Sequence, residues 1–199
     1  MGRKRANSEL TKKLAIGGIL TALVFVLQMM GQFIKFGPFA ISLVLIPIVL
    51  GAALCDYKVS TWLGLVFGVA VLASGDAALF LGIDVPGTVI TVLAKGTLCG
   101  LAAGLVYEAL KKVHIKNTLA VMITALVCPV VNTGVFLLGC VVFFLDTIRE
   151  WGVAGGFTNV AQYLIIGMVG INFLVELSVN IFLSPVIVRI LGFSKKLHK

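Results

Sequence analysis

The chain has 199 residues, of which 60% are hydrophobic and 12% charged, with a mean hydropathy of +1.13 and a net charge of +8. Soluble domains carry about 25% charged residues, so this chain has too little polar surface to cover a water-soluble globule, and the bilayer must solvate much of it. At about 20 apolar residues per helical span, there is room for six spans with short loops and none for a separate soluble domain. A net positive charge can indicate nucleic acid, but here the basic residues sit beside apolar runs without interleaved exposed aromatics, which is the pattern of charges flanking membrane spans.

The first span is expected at residues 14–34, after a basic segment containing Arg3, Lys4, Arg5, Lys12 and Lys13. That apolar run exceeds the 7–15 residues of a signal-peptide core, so it reads as a retained span. Lys35, Gly37 and Pro38 break it, since glycine and proline punctuate helices. The second span is expected at 39–55 and ends in a polar turn at Asp56 and Lys58; the third runs over 59–75. Asp76 and Asp84 mark a longer connection, and the fourth span is expected at 86–110, with Pro86 in its first turn, where proline is tolerated. A basic loop at 111–116 precedes the fifth span, 117–145. Asp146, Arg149, Glu150 and three glycines (Gly152, Gly155, Gly156) read as a loop, and the sixth span is expected at 158–188.

The fold expected is therefore an all-α membrane protein, a compact bundle of six transmembrane helices. With six spans, one face receives the five basic residues of the N-terminal segment, Lys58, three in the 111–116 loop and four beyond residue 188, 13 of the 16 Lys and Arg. Lys35 and Arg149 fall on the other face, and Lys95 lies inside the fourth span. Positive residues stay on the cytoplasmic side, so both termini are expected to be cytoplasmic.

Several function classes are disfavoured. No GxxxxGK[ST] phosphate loop and no HExxH zinc motif occurs, and the histidines are His114 and His198, both at the cytoplasmic face. There is no ladder of arginines for voltage sensing. Cys55, Cys99, Cys128 and Cys140 form no CxxC pair and sit in or beside apolar runs, where they read as packing residues. No catalytic residue, metal, disulfide or cofactor is expected.

The polar residues inside the spans carry what chemistry there is. A charge in hydrocarbon costs several kcal/mol unless it faces a cavity or a partner. Lys95 in the fourth span and Glu176 in the sixth can pair and tie two helices together, line a cavity for a polar solute, or do both at a cavity floor. Asn172, Glu176 and Asn180 recur every four residues and share one helix face. Asn180, the deepest, is expected to bond between helices. Asn132 follows Pro129, which frees a backbone carbonyl; the asparagine can satisfy that carbonyl or face a cavity. Small residues recur at Gly96, Gly100 and Gly104, at Gly64 and Gly68, and at Gly18 and Ala22, ridges that let helices approach closely. The first two ridges are expected to pack internally, and Gly18–Ala22 to meet an external partner.

These features resemble the substrate-binding S components of energy-coupling factor (ECF) vitamin transporters. The resemblance rests on KKLAIGGILTA (12–22), FGPFAISLVLIPIVLG (36–51) with its polar turn, CPVVNTG (128–134), and the asparagine-bearing last span. It covers nearly the full length through loose motifs. It implies high-affinity binding of a vitamin or related micronutrient near the outer face, and docking on a membrane coupling subunit with two cytoplasmic ATPases in a prokaryotic plasma membrane. It assigns Gly18 and Ala22 to that docking, where the family has two alanines. The substrate pocket is expected between the fourth, fifth and sixth spans, under the 35–38 and 146–157 loops, with Lys35, Lys95, Asn132, Tyr163, Asn172 and Glu176 as candidate ligand contacts. Lys35 and Lys95 lean toward an anionic group on the solute. A self-sufficient secondary transporter and a non-transport assembly protein are the competing readings; the first would need inverted repeats or broken helices at mid-membrane.

Overall fold

The computed structural model describes residues 2–31, 35–36, 39–40 and 43–196. The elements are α1 (Gly2–Gly31), a hairpin of β1 (Lys35–Phe36) and β2 (Phe39–Ala40), α2 (Leu45–Leu54), α3 (Tyr57–Ser74), α4 (Ala78–Leu81), α5 (Val85–Lys112), α6 (Asn117–Phe143), α7 (Leu145–Ala154), α8 (Val160–Gln162), a π-helical segment Tyr163–Met168, and α9 (Gly170–Lys196).

Among the described residues, five stretches are long and apolar enough to cross a membrane: Leu10–Gly31, Tyr57–Ser74, Val85–Lys112, Asn117–Phe143 and Asn172–Ile190. The second expected span differs. It is the ten-residue helix α2, about 15 Å long at 1.5 Å per residue, half the hydrocarbon thickness. The chain before it turns in the β1–β2 hairpin, where Phe36 pairs with Phe39, instead of extending the helix. The 146–157 segment is also not the expected loop. Residues 145–154 form α7, because Ile148, Trp151 and Gly152 recur at helical spacing and pack inward against Phe144, Leu164 and Tyr163.

Local chemistry sets the helix ends. Asp56 caps α3 by accepting from the backbone N–H of Lys58 and Val59, both at 3.0 Å. Asp84 caps α5 by accepting from Gly87 N–H at 3.1 Å, and Asn159 caps α8. Each satisfies N–H groups that a helix start leaves open. Gly75 ends α3 in the left-handed conformation, φ +79°, which glycine adopts without steric cost.

Side-chain contacts fix the direction of the helices. Lys13 pairs with Asp56 at 2.8 Å, while the Gln28 amide reaches Ser74 and Asp76 at 3.4 and 3.5 Å. α1 and α3 therefore run the same way, and α2 returns between them. Glu108 accepts from Tyr57 N–H at 3.0 Å, which brings the end of α5 back to the Asp56 turn. α2 sits at the centre of the bundle, touching α1, α3, α5, α6 and α9, with Leu45, Ile48 and Val49 fully buried.

The tightest pairing is α3 on α5. A Cβ on Gly64 would strike the Gly96 carbonyl, and one on Gly100 would strike the Ser60 carbonyl. The two glycine ridges thus face each other at backbone contact, as helices do in membranes when small residues line the seam. A second apolar cluster forms at the opposite end from the Asp56 turn, where Phe80 of α4 makes edge contacts with Phe136, Phe144 and Trp151 at 5.7, 5.0 and 5.9 Å. Large apolar side chains cover the outside, including Leu138, Val142, Ile165 and Phe182. So much exposed apolar surface suits lipid contact and not water.

Candidate functional site

A cavity of about 60 Å³ lies between α5, α6 and α9, close to the Phe80 cluster. Lys95 enters from α5, Asn132, Thr133 and Phe136 from α6, and Met168, Val169, Asn172, Phe173 and Glu176 from the end of the π segment and the start of α9. Asp76, from the turn between α3 and α4, completes the wall.

Each helix presents these groups for a local reason. Asn172 and Glu176 are one helical turn apart and face the same way; they are 8% and 6% exposed. Asn180 continues the stripe but not the cavity: its amide donates to Glu176 O at 2.8 Å. That is a bond within its own helix, where an interhelical one was expected. Asn132 is 4% exposed. Of the two alternatives open for it, the residue takes the cavity: it lines the wall, and its Oδ1 has no hydrogen-bond partner among the described residues. The Lys95 ammonium stands 5.5 Å from the centre of the Phe67 ring and 5.4 Å from that of Phe136, within cation–π range of both.

Four of the six substrate-contact candidates, Lys95, Asn132, Asn172 and Glu176, therefore line one cavity. Tyr163 does not. Its ring lies 5.3 Å from Phe157 and packs beside Gly152 and Gly167, in the helical cap and away from the wall. Lys35 is in β1, and its side chain lies outside the described residues. Gly18 and Ala22 are on the outer face of α1; a Cβ on Gly18 would meet nothing within 4 Å.

Sequence reasoning missed Asp76, Gln28, Phe136 and Met168. Asp76 reads as a loop charge, yet its Oδ1 is buried without a hydrogen-bond partner among the described residues, and Gln28, 3% exposed, approaches its Oδ2. Gln28 did carry a signal, as a lone amide in an otherwise apolar run. A larger depression of about 510 Å³ runs along α9 over Leu174, Ser178 and Phe182. Its single hydroxyl, on Ser178, donates to Leu174 O at 2.7 Å, so it offers lipid-like contacts only.

Buried polar and charged groups gathered from three helices at one cavity, inside an apolar bundle, are what a membrane protein that binds a polar solute requires. The model of the family described as "ECF transporter, substrate-specific component" matches residues 12–188. The chain belongs to that family. No curated protein and no solved structure matches it. As a substrate-specific component of an ECF transporter it is a multi-pass membrane protein that binds substrate for such a transporter, and its family is one of transport and not of catalysis.

Proposed function

We propose that the protein captures a vitamin-class micronutrient with high affinity in the Lys95–Asn132–Asn172–Glu176 cavity and delivers it to a coupling subunit driven by two cytoplasmic ATPases. The observation that carries this is the convergence of four costly intramembrane polar residues on one cavity in a chain of this family. Amides suit a heterocycle because each offers both a donor and an acceptor. Tyr163, packed against Phe157, is not among these contacts.

Small-molecule pockets run from about 300 to 1,000 Å³, against about 60 Å³ here, so binding a vitamin in it requires the cavity to widen. In the topology we propose, α2 with its hairpin acts as the sixth span, both termini are cytoplasmic, and the cavity and the Phe80 cluster face the outside of a prokaryotic plasma membrane. The antiparallel return of α2 and the 13-to-2 distribution of basic residues support that orientation. Gly18 and Ala22, open on the outer face of α1, form the docking ridge for the coupling subunit.

Mass spectrometry of the small molecule that co-purifies from cells grown in rich medium tests the reading. A vitamin bound at unit stoichiometry, with cellular uptake that requires a coupling subunit and ATPases, is expected. Uptake by the isolated chain, driven by a proton or sodium gradient, would instead identify a secondary transporter.

A further inference from the structure

We propose that the substrate is a neutral or cationic ring compound that donates at least two hydrogen bonds, and not an anion. This rests on the transport reading above and reverses the lean toward an anionic group that Lys35 and Lys95 suggest in the sequence.

The cavity has acceptors waiting. Asp76 Oδ1 and Asn132 Oδ1 are both buried from solvent and have no hydrogen-bond partner among the described residues, and both residues line the same small space. Buried acceptors without partners are uncommon and costly. A ligand bringing N–H or O–H groups to both would relieve that cost; a carboxylate or phosphate, which only accepts, would add to it.

The charges point the same way. Lys95 is the cation among the described lining residues, against the carboxyl groups of Asp76 and Glu176. Its ammonium stands over the faces of Phe67 and Phe136, so part of its field is already directed at aromatic rings. An incoming anion would face two carboxyl groups in a setting of low dielectric, where like charges repel more strongly than in water. Phe136, Phe173 and Met168 supply the apolar lining against which a ring would pack.

The sign of one substitution reads the ligand's charge. Asp76→Asn keeps size and shape while removing a carboxylate. The experiment uses the full-length protein, purified in detergent and stripped of bound ligand, and titrates two sets of probes by calorimetry. One set is neutral or cationic and donor-rich: thiamine, riboflavin and pyridoxamine. The other is anionic: folate, pantothenate and biotin. A probe of the first set should bind, and Asp76→Ala and Asn132→Ala should each weaken it on the order of tenfold to a hundredfold, the effect of one lost hydrogen bond to a buried group, whereas Asp76→Asn, which keeps an acceptor oxygen, should weaken the cationic probes and spare riboflavin. Asn132→Asp, which keeps the acceptor, should retain binding. Thermal melting of each variant checks that the fold survives. Preferential binding of an anionic probe, tightened by Asp76→Asn, overturns the assignment and leaves the transport reading intact. Binding of a first-set probe that is indifferent to both Asp76→Ala and Asn132→Ala overturns it too. A correctly melting wild-type protein that binds none of the first set overturns the assignment, while the transport reading is decided separately by the co-purifying molecule.

Discussion

Gly17 and Gly18 are neighbours in sequence and opposites in environment, which makes them a controlled test of the α1 face. A Cβ on Gly17, which is buried, would touch Val59 Cγ1 at 3.6 Å, whereas one on Gly18 would meet nothing within 4 Å. Replacing Gly18 with leucine adds side-chain volume on the outer face only. In the isolated protein the change should be neutral or stabilising by up to about 1 kcal/mol, since leucine is a better helix former than glycine. Ligand affinity should not move, because α1 contributes no residue to the described lining of the cavity. At the docking ridge the effect is opposite: a leucine prevents the close backbone approach that small residues permit. Loss of as little as about 1.4 kcal/mol of docking energy lowers complex formation tenfold. Gly17→Leu, by contrast, must push α1 from α3 and should lower stability by about 1–3 kcal/mol. The assays are thermal melting and ligand titration of the purified variants, with uptake in cells that hold the coupling module. Normal uptake by a Gly18→Leu variant would refute the docking role of this face, and a lowered melting temperature would refute the placement of Gly18 itself.

Three further outcomes are expected. Gly100→Val places a branched side chain against the Ser60 backbone carbonyl and should destabilise the α3–α5 pair by at least 1–3 kcal/mol, seen as a lower melting temperature in detergent. Burial pushes the Asp56 carboxyl up, but the Lys13 ammonium and the N–H groups of Val59 and Lys58 outweigh it and hold it below the ordinary carboxylate value. A depressed group stabilises the fold above its unfolded pKa and loses that contribution as pH falls through its folded one. Denaturation curves of wild type and Asp56→Asn should therefore differ by a constant amount from neutral pH to about pH 4 and converge below it. The difference should be on the order of 0.2–1 kcal/mol for so exposed a pair. For orientation, Cys55 is half-buried while Cys99, Cys128 and Cys140 are buried; after Cys55→Ser, an impermeant thiol reagent should label Gly155→Cys but not Lys112→Cys from outside intact cells, and the reverse pattern would invert the proposed topology.

How much was legible in the sequence depends on how far along the chain the partners lie. Long apolar runs ended by Asp56, Asp84 and the 111–116 loop show themselves, because hydropathy and capping are local. The glycine ridges were also readable: Gly64 and Gly100 are small at helical spacing, and the structure sets them face to face. α2 was misjudged because the apolar run 39–55 looks the same whether it is one helix or a hairpin followed by half a helix. α7 was misjudged because Gly152 and the two glycines just past its end, Gly155 and Gly156, mimic a loop, although Gly152 is small to fit beside the Tyr163 ring. In the cavity, Lys95, Asn132, Asn172 and Glu176 stood out because a polar residue inside an apolar run is expensive wherever it points. Asp76 did not, since a charge in a connection is ordinary. Its burial depends on α4 and on Gln28, 48 residues away in sequence.

The two sides of the cavity differ in how readily they can move, and this bears on how, in the proposed reading, about 60 Å³ becomes room for a substrate. α5, which carries Lys95, is fixed to α3 by carbonyl-on-glycine contacts at Gly64, Gly96 and Gly100; any shift there breaks a close-packed seam along several turns. The facing wall is built from irregular helix. α6 contains Pro129, which removes one backbone hydrogen bond, and α9 is entered through the π segment ending at Met168. A π turn holds one residue more than an α turn in the same length, so its hydrogen bonds can pass to the next acceptor without unfolding the helix. Passing from π to α geometry there would turn Met168 and Val169 relative to Asn172. Both line the cavity, and the residues outside them, Ile165 and Ile166, are each 60% exposed on the apolar surface. Widening by the α6–α9 wall thus costs less than widening by α5. Lys95 can stay over its two rings while Asn132, Asn172 and Glu176 adjust to the ligand.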